Sequence, residues 1–155
     1  MGVIAPGTAV PAFALKRADG EPFTQDDVAS GVHVLVFYPA TFSSVCTSQL
    51  QIYEESLAEI TADGAQIYGV SVDNTFSQIA FCEQLNVTIP QLADFEPKGV
   101  ASRAFGAYFE PAGFSNRALV VIKDGVVVWS WEGENPGVLP GVNLVFDGLQ
   151  AAAAA

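Results

Sequence analysis

Cys46 ends the run Val34-Leu35-Val36-Phe37-Tyr38-Pro39-Ala40-Thr41-Phe42-Ser43-Ser44-Val45-Cys46, where most of the chain's chemistry is concentrated. Val34 to Tyr38 is a β-branched and aromatic stretch that stops at Pro39, which cannot continue a hydrogen-bonded ladder. Ser43 and Ser44 are favoured residues for opening a helix. The pattern therefore predicts strand, turn, helix, with Cys46 in the helix's first turn. Backbone N–H groups are unpaired there, and the helix dipole favours negative charge. A cysteine so placed is biased toward thiolate, the form that acts as a nucleophile. The alternative for a free thiol is an inert, buried structural residue.

The spacing Pro39-x-x-x-Ser43-x-x-Cys46 resembles the P-x-x-x-[T/S]-x-x-C signature of the peroxiredoxins, thiol peroxidases that reduce hydroperoxides through a cysteine sulfenic acid. The resemblance covers most of the chain. Asp94 to Gly125 is similar to the one-cysteine subgroup named for alkyl hydroperoxide reductase E of actinobacteria. The helix carrying Phe81-Cys82 is more similar to the Q-type, or bacterioferritin-comigratory, subgroup.

The resemblance implies roles for four residues. Cys46 is the peroxidatic nucleophile, and the Ser43 hydroxyl reaches peroxide and sulfur together. Ser43 is equally suited to cap the helix, and Ser44 could share either role. Arg117, in Asn116-Arg117-Ala118-Leu119-Val120-Val121, stands where peroxiredoxins carry an active-site arginine that stabilises charge on the leaving oxygen. Pro39 shields the pocket from water, a role compatible with simply ending the strand. Gln49 departs from the family, which often has a glutamate there to orient the arginine; a glutamine keeps an acceptor oxygen and loses the charge.

Ionisation cannot supply the catalysis alone. An ordinary thiol of pKa about 8.5 is about 3% thiolate at neutral pH, so full ionisation gains only about thirtyfold, or roughly 2 kcal/mol. Enzymes commonly provide at least ~10⁶, about 8 kcal/mol. The O–O bond must therefore be activated as it breaks, the work assigned to Ser43 and Arg117.

Cys82 has two readings. By resemblance to the Q-type it is a resolving cysteine that forms a disulfide with Cys46; the chain-entropy model credits such a bridge with about 4 kcal/mol. Among Ile79, Phe81 and Leu85 it also fits as a small core residue, as the resemblance to the one-cysteine subgroup favours. His33, the only histidine, reads as structural. No zinc-like ligand spacing, nucleotide-binding glycine loop or hydrolase elbow is present, so no metal or other cofactor is expected. The leading function is a thiol-dependent peroxidase for hydrogen peroxide and organic hydroperoxides. An oxidant-sensing, thioredoxin-like interaction module is the alternative from another class. A disulfide oxidoreductase is a weaker third, because Thr47-Ser48-Gln49 follows Cys46 where Cys-x-x-Cys would be needed. The resemblance further implies a homodimer and a reductant of thioredoxin, glutaredoxin or low-molecular-weight-thiol type.

The elements that must hold these residues follow from periodicity. Ala12 to Phe23 reads as a hairpin around Asp19-Gly20. Val32 to Tyr38 is too continuously apolar to be half exposed. Val45, Leu50, Tyr53, Leu57 and Ile60 recur at helical spacing up to Gly64, a candidate C′ residue. Ala65 to Val72 is a strand, and Asn74 to Asn86 a helix ending before Pro90. Lys98 to Phe105 suggests a short helix, Gly106 to Ser115 an irregular stretch. Ala118–Ile122 and Val126–Trp131 form a hairpin around Lys123-Asp124-Gly125, with both tryptophans on one face. Gly141 to Leu149 suggests a weak helix, which the five closing alanines could extend. Residues 1–155 are expected to form a single α/β domain of thioredoxin-like fold: a mixed sheet flanked by helices, with an extra N-terminal β-hairpin.

Composition agrees with a globular protein, half hydrophobic and only 15% charged. A chain of 155 residues buries roughly 68–70% of its unfolded surface. The net charge of −11 argues against nucleic acid and anionic membranes as partners. Two cysteines do not make a secreted disulfide framework. The start, Met-Gly-Val-Ile-Ala-Pro-Gly, has no basic and apolar signal pattern, and no apolar run approaches the roughly 20 residues that span a bilayer, so a cytoplasmic location is expected.

Overall fold

The computed structural model describes residues 2–155. Strands β1 (Ala14–Lys16) and β2 (Pro22–Thr24) form the expected hairpin, Leu15 facing Phe23. Strand β3 (Val32–Phe37) leads to helix α1 (Ser44–Glu55), a one-turn α2 (Leu57–Ile60) and β4 (Gln66–Ser71). Then follow α3 (Thr75–Leu85), β5 (Gln91–Ala93), α4 (Val100–Ala104), β6 (Tyr108–Phe109) and β7 (Phe114–Ser115). Strands β8 (Ala118–Lys123) and β9 (Val126–Glu132) precede the terminal helix α5 (Val142–Ala154).

Seven strands form one sheet in the order β2-β1-β5-β4-β3-β8-β9. Strands β3, β4 and β5 run parallel, and the remaining pairs are antiparallel. Alternate residues of β3 enter different apolar layers. Leu35 and Phe37 pack with Phe13, Val70 and Phe105, while Val34 and Val36 pack with Leu50, Tyr53, Phe81 and Val145. A strand covered on both faces accounts for its unbroken apolar run. The second layer lies under α1, α3 and α5 and contains Cys46. Because β3, β4 and β5 are parallel, the loops after them emerge at one edge of the sheet, where sites form in such folds.

Five details differ from the sequence reading. The helix expected through Ile60 breaks at Ser56, whose N–H bonds the carbonyl of Tyr53 three residues back. Gly64 adopts φ +89° but closes the turn beyond Thr61, the helix's C-cap. The stretch 106–115 contains the small β6–β7 hairpin, whose two-residue strands are too short to give a periodic signal. A bulge in β9 pairs Val121 with Trp129 but Ile122 with Val127. Both tryptophans therefore share the α5 face, while Val127 turns to the other layer. The terminal helix is longer than expected and runs through the closing alanines, supported by packing on β8 and β9.

Candidate active site

The loop from β3 to α1 is fixed at both ends. Tyr38 N–H bonds the carbonyl of Val70 at 3.0 Å, and Thr41 N–H donates to Asp73 Oδ2 at 2.9 Å. Pro39 between them is buried. Phe42 turns with φ +67°, a region that costs an L-residue roughly 1–2 kcal/mol. That turn delivers Ser43 in extended geometry as the N-cap of α1, its Oγ accepting from Cys46 N–H at 3.4 Å. Ser44 is the exposed first helical residue, so the cap belongs to Ser43. While Oγ accepts from the backbone, its own proton stays free to donate to another oxygen. The two roles read for Ser43 are therefore compatible. Cys46 is 0% exposed, in the first turn of α1 and shielded from water.

Arg117 immediately precedes β8. The pairing of Phe37 with Ala118 sets it beside the end of β3, where the Cys46 loop begins. It is only 2% exposed, the largest of the fully buried side chains. Nη1 donates to Gln49 Oε1 at 2.8 Å and Nε donates to the Pro136 carbonyl at 2.7 Å. Gln49 lies one helical turn after Cys46 on the buried face of α1, so this bond draws the guanidinium to the cysteine's side of the helix. Among the described residues the ion pairs are Arg17–Asp27 and Arg103–Glu110, both at the surface. Arg117 is thus a buried cation held by neutral oxygens. Two of a guanidinium's five N–H donors are engaged, leaving others for an incoming oxygen.

Pro39, Ser43 and Cys46 share the turn from β3 into α1 and Arg117 is tied to α1 through Gln49, whereas Cys82 lies on α3. It is half-buried on α3 beside a cavity of about 500 Å³ lined also by Ile79, Asn86 and Val87. Burial, helped by the nearby Glu54 carboxylate, pushes its thiol up to about 11. Both cysteines are free thiols. Phe81, adjacent to Cys82, packs its ring on Tyr38 and Phe42, which bracket Pro39, so α3 supports the Cys46 loop. His33 is structural, its ring nitrogens lying 3.3 Å from Tyr68 Oη and 2.8 Å from the Ser30 carbonyl.

Two features of the site escape sequence reading. Tyr38 is a buried phenol that donates to Gln91 Oε1 at 2.7 Å, and burial holds its pKa well above the ordinary range. Tyr53, four residues after Gln49, accepts from the Gln49 amide at 3.3 Å and donates to the Pro140 carbonyl at 2.7 Å. The i,i+4 spacing was a signal available for Gln49 and Tyr53; the carbonyls of Pro136 and Pro140 gave none.

Known proteins resemble this chain over most of its length. The AhpC/TSA family model matches residues 6–130. Alkyl hydroperoxide reductase E of Mycobacterium tuberculosis is 29% identical over 94% of this chain and 95% of its own length. Chloroplastic peroxiredoxin Q of Arabidopsis thaliana is 32% identical over 78% of this chain and 56% of its own. The crystal structure of Enterococcus faecalis AhpC superposes with a TM-score of 0.87 at 23% identity, covering 99% of this chain and 94% of that one, a likeness of fold. No helix among the described residues is long and apolar enough to cross a membrane. With the family match spanning most of a thioredoxin-like chain, the protein belongs to the AhpC/TSA family and is a peroxiredoxin, a thiol-dependent oxidoreductase.

Proposed function

We propose that residues 1–155 act as one thioredoxin-like unit that reduces hydrogen peroxide and organic hydroperoxides, with Cys46 as nucleophile. The observation that carries this reading is Arg117, a buried guanidinium without a carboxylate, tied to the α1 face that presents Cys46. The Cys46 thiolate attacks one peroxide oxygen; the S–O bond forms as the O–O bond breaks. The departing oxygen takes a proton and leaves as water or an alcohol, and the cysteine is left as sulfenic acid. Arg117 and the Ser43 hydroxyl donate to the oxygens as charge develops, and Pro39 keeps water out.

In the second half of the cycle, Cys82 attacks the sulfenic sulfur, giving a Cys46–Cys82 disulfide and water. A thioredoxin-, glutaredoxin- or low-molecular-weight-thiol-type reductant then restores both thiols. The shared apolar layer and the Phe81 contacts with Tyr38 and Phe42 support this step. A specific observation favours a second reading. A thiol pushed up to about 11 is a poor nucleophile at neutral pH, which suits a one-cysteine cycle with Cys82 as packing. A cycle closed at every turnover by a thiol reductant suits a reducing compartment, the cytoplasm. Phe42, Phe76 and Phe95, all exposed at the edge where β3, β4 and β5 end, support a homodimer, which a monomer in sedimentation velocity would exclude.

Rapid mixing of the reduced protein with hydrogen peroxide and an organic hydroperoxide tests the central claim. Wild type should consume both, and Cys46→Ser should consume neither while keeping its circular dichroism spectrum. Substantial turnover by the serine variant would assign the nucleophile elsewhere.

A further inference from the structure

We infer that Tyr53 is a positioning residue for Arg117: its hydroxyl fixes which way the Gln49 amide faces, and thereby where the guanidinium is held. The inference rests on the peroxidase reading of Cys46 and Arg117 and deepens it.

Four groups form a hydrogen-bond chain that runs in one direction. Arg117 Nη1 donates to Gln49 Oε1 at 2.8 Å, Gln49 Nε2 to Tyr53 Oη at 3.3 Å, and Tyr53 Oη to the Pro140 carbonyl at 2.7 Å. All three side chains are buried. The direction is imposed by chemistry. A guanidinium has only donors to offer, so only the oxygen end of the amide can face it. Turned over, the Gln49 amide would set N–H against N–H, and each unpaired buried donor costs about 1–3 kcal/mol.

Something must therefore orient the amide, and Tyr53 is built to do so. It lies four residues along the same helix, where side chains meet. The Pro140 carbonyl accepts only and takes the single phenolic proton, leaving the Tyr53 oxygen lone pairs for the amide's NH₂. Burial pushes the phenol above its ordinary range, so that proton stays in place.

The segment between β9 and α5 holds both outer ends. Pro136 receives Arg117 Nε at 2.7 Å, and Pro140 receives Tyr53. Proline presets φ at both positions, and Asn135 accepts from Gly137 and Val138 N–H to fix the turn between them. A glutamate at position 49 would need no such orientation, because both its oxygens accept. The tyrosine is thus the counterpart of the glutamine.

Tyr53→Phe should slow oxidation of Cys46 by hydrogen peroxide ten- to about a hundredfold, the scale of a misplaced catalytic group. Alkylation of Cys46 by iodoacetamide, which needs the thiolate but no O–O cleavage, should change far less. Introducing Gln49→Glu into the Tyr53→Phe background should return the peroxide rate to that of Gln49→Glu alone. Wild-type peroxide kinetics in Tyr53→Phe, equal losses toward both reagents, or the same loss in the glutamine and glutamate backgrounds would each overturn the inference. If Tyr53→Phe does not fold, the double variant decides: folding and reacting supports amide orientation, and failing to fold makes the hydroxyl a core hydrogen bond only. A wild-type protein inert to peroxide would remove the peroxidase reading and this inference together, whereas a reactive wild type with an equally reactive Tyr53→Phe removes this inference alone.

Discussion

Desolvating a guanidinium costs several kcal/mol, and Arg117 meets only neutral oxygens in return. Such a residue is retained against stability, which points to work done on a ligand. Arg117→Met should therefore leave the melting temperature near that of wild type while slowing the reaction with peroxide by more than thirtyfold. Ionisation of an ordinary thiol accounts for about that factor at neutral pH. The loss should persist on a pH plateau where the thiolate is fully formed. Full recovery at high pH would reduce Arg117 to a tuner of ionisation and remove its proposed role in activating peroxide.

A resolving role for Cys82 requires α1 and α3 to bring two sulfurs together. Disulfide geometry tolerates little deviation, so both helix ends must loosen if Cys82 resolves the sulfenic acid. One equivalent of peroxide should then yield a monomer lighter by two hydrogens, with no covalent dimer on non-reducing gels. Hydrogen-exchange protection should fall around residues 42–50 and 76–84. The pH dependence separates closed from open reactivity. With the folded thiol raised to about 11, Cys82 stays protonated and its contribution to stability is intact at neutral pH, then is lost as pH rises through about 11. Alkylation of Cys82 in the reduced protein should follow that high midpoint. Disulfide formation through an opened helix should instead rise near the ordinary thiol value of about 8.5. A sulfenic acid that dimedone traps while Cys82 stays free would leave the one-cysteine cycle.

For the whole molecule, the helical layer over Cys46 depends on a close approach at Gly148. A Cβ there would lie 2.6 Å from Val121 Cγ2 and 2.8 Å from Trp129 Cε3, both on the β8–β9 pair at one edge of the sheet. Alanine would gain up to about 1 kcal/mol in helix propensity. Overpacking of this kind costs about 1–3 kcal/mol, and Val121 is fully buried with little room to move. Gly148→Ala should therefore lower the free energy of unfolding by a net ~0–2 kcal/mol, read as a lower urea midpoint. It should also loosen α5 and, through the segment that ends at Pro140, the seat of Arg117. A stabilised variant would mean that α5 can shift without cost.

Local chemistry made much of this protein legible in its sequence. Pro39 ends a strand because it has no N–H, Ser43 caps a helix because its oxygen can accept from the backbone, and Asn86 ends α3 because asparagine tolerates the left-handed turn at φ +56°. These rules depend on near neighbours, so they placed Cys46 at a helix start before any fold was known. The arginine was legible only through resemblance to a family, since no local signal marks position 117. Its burial, its reach to Gln49 and its second anchor at Pro136 depend on the pairing of β8 with β3 and on the path of the chain after β9. The bulge that turns Val127 from the tryptophans, and the use of proline carbonyls as acceptors, belong to the same class. Backbone carbonyls look alike in every sequence, and only tertiary structure decides which of them a buried cation finds.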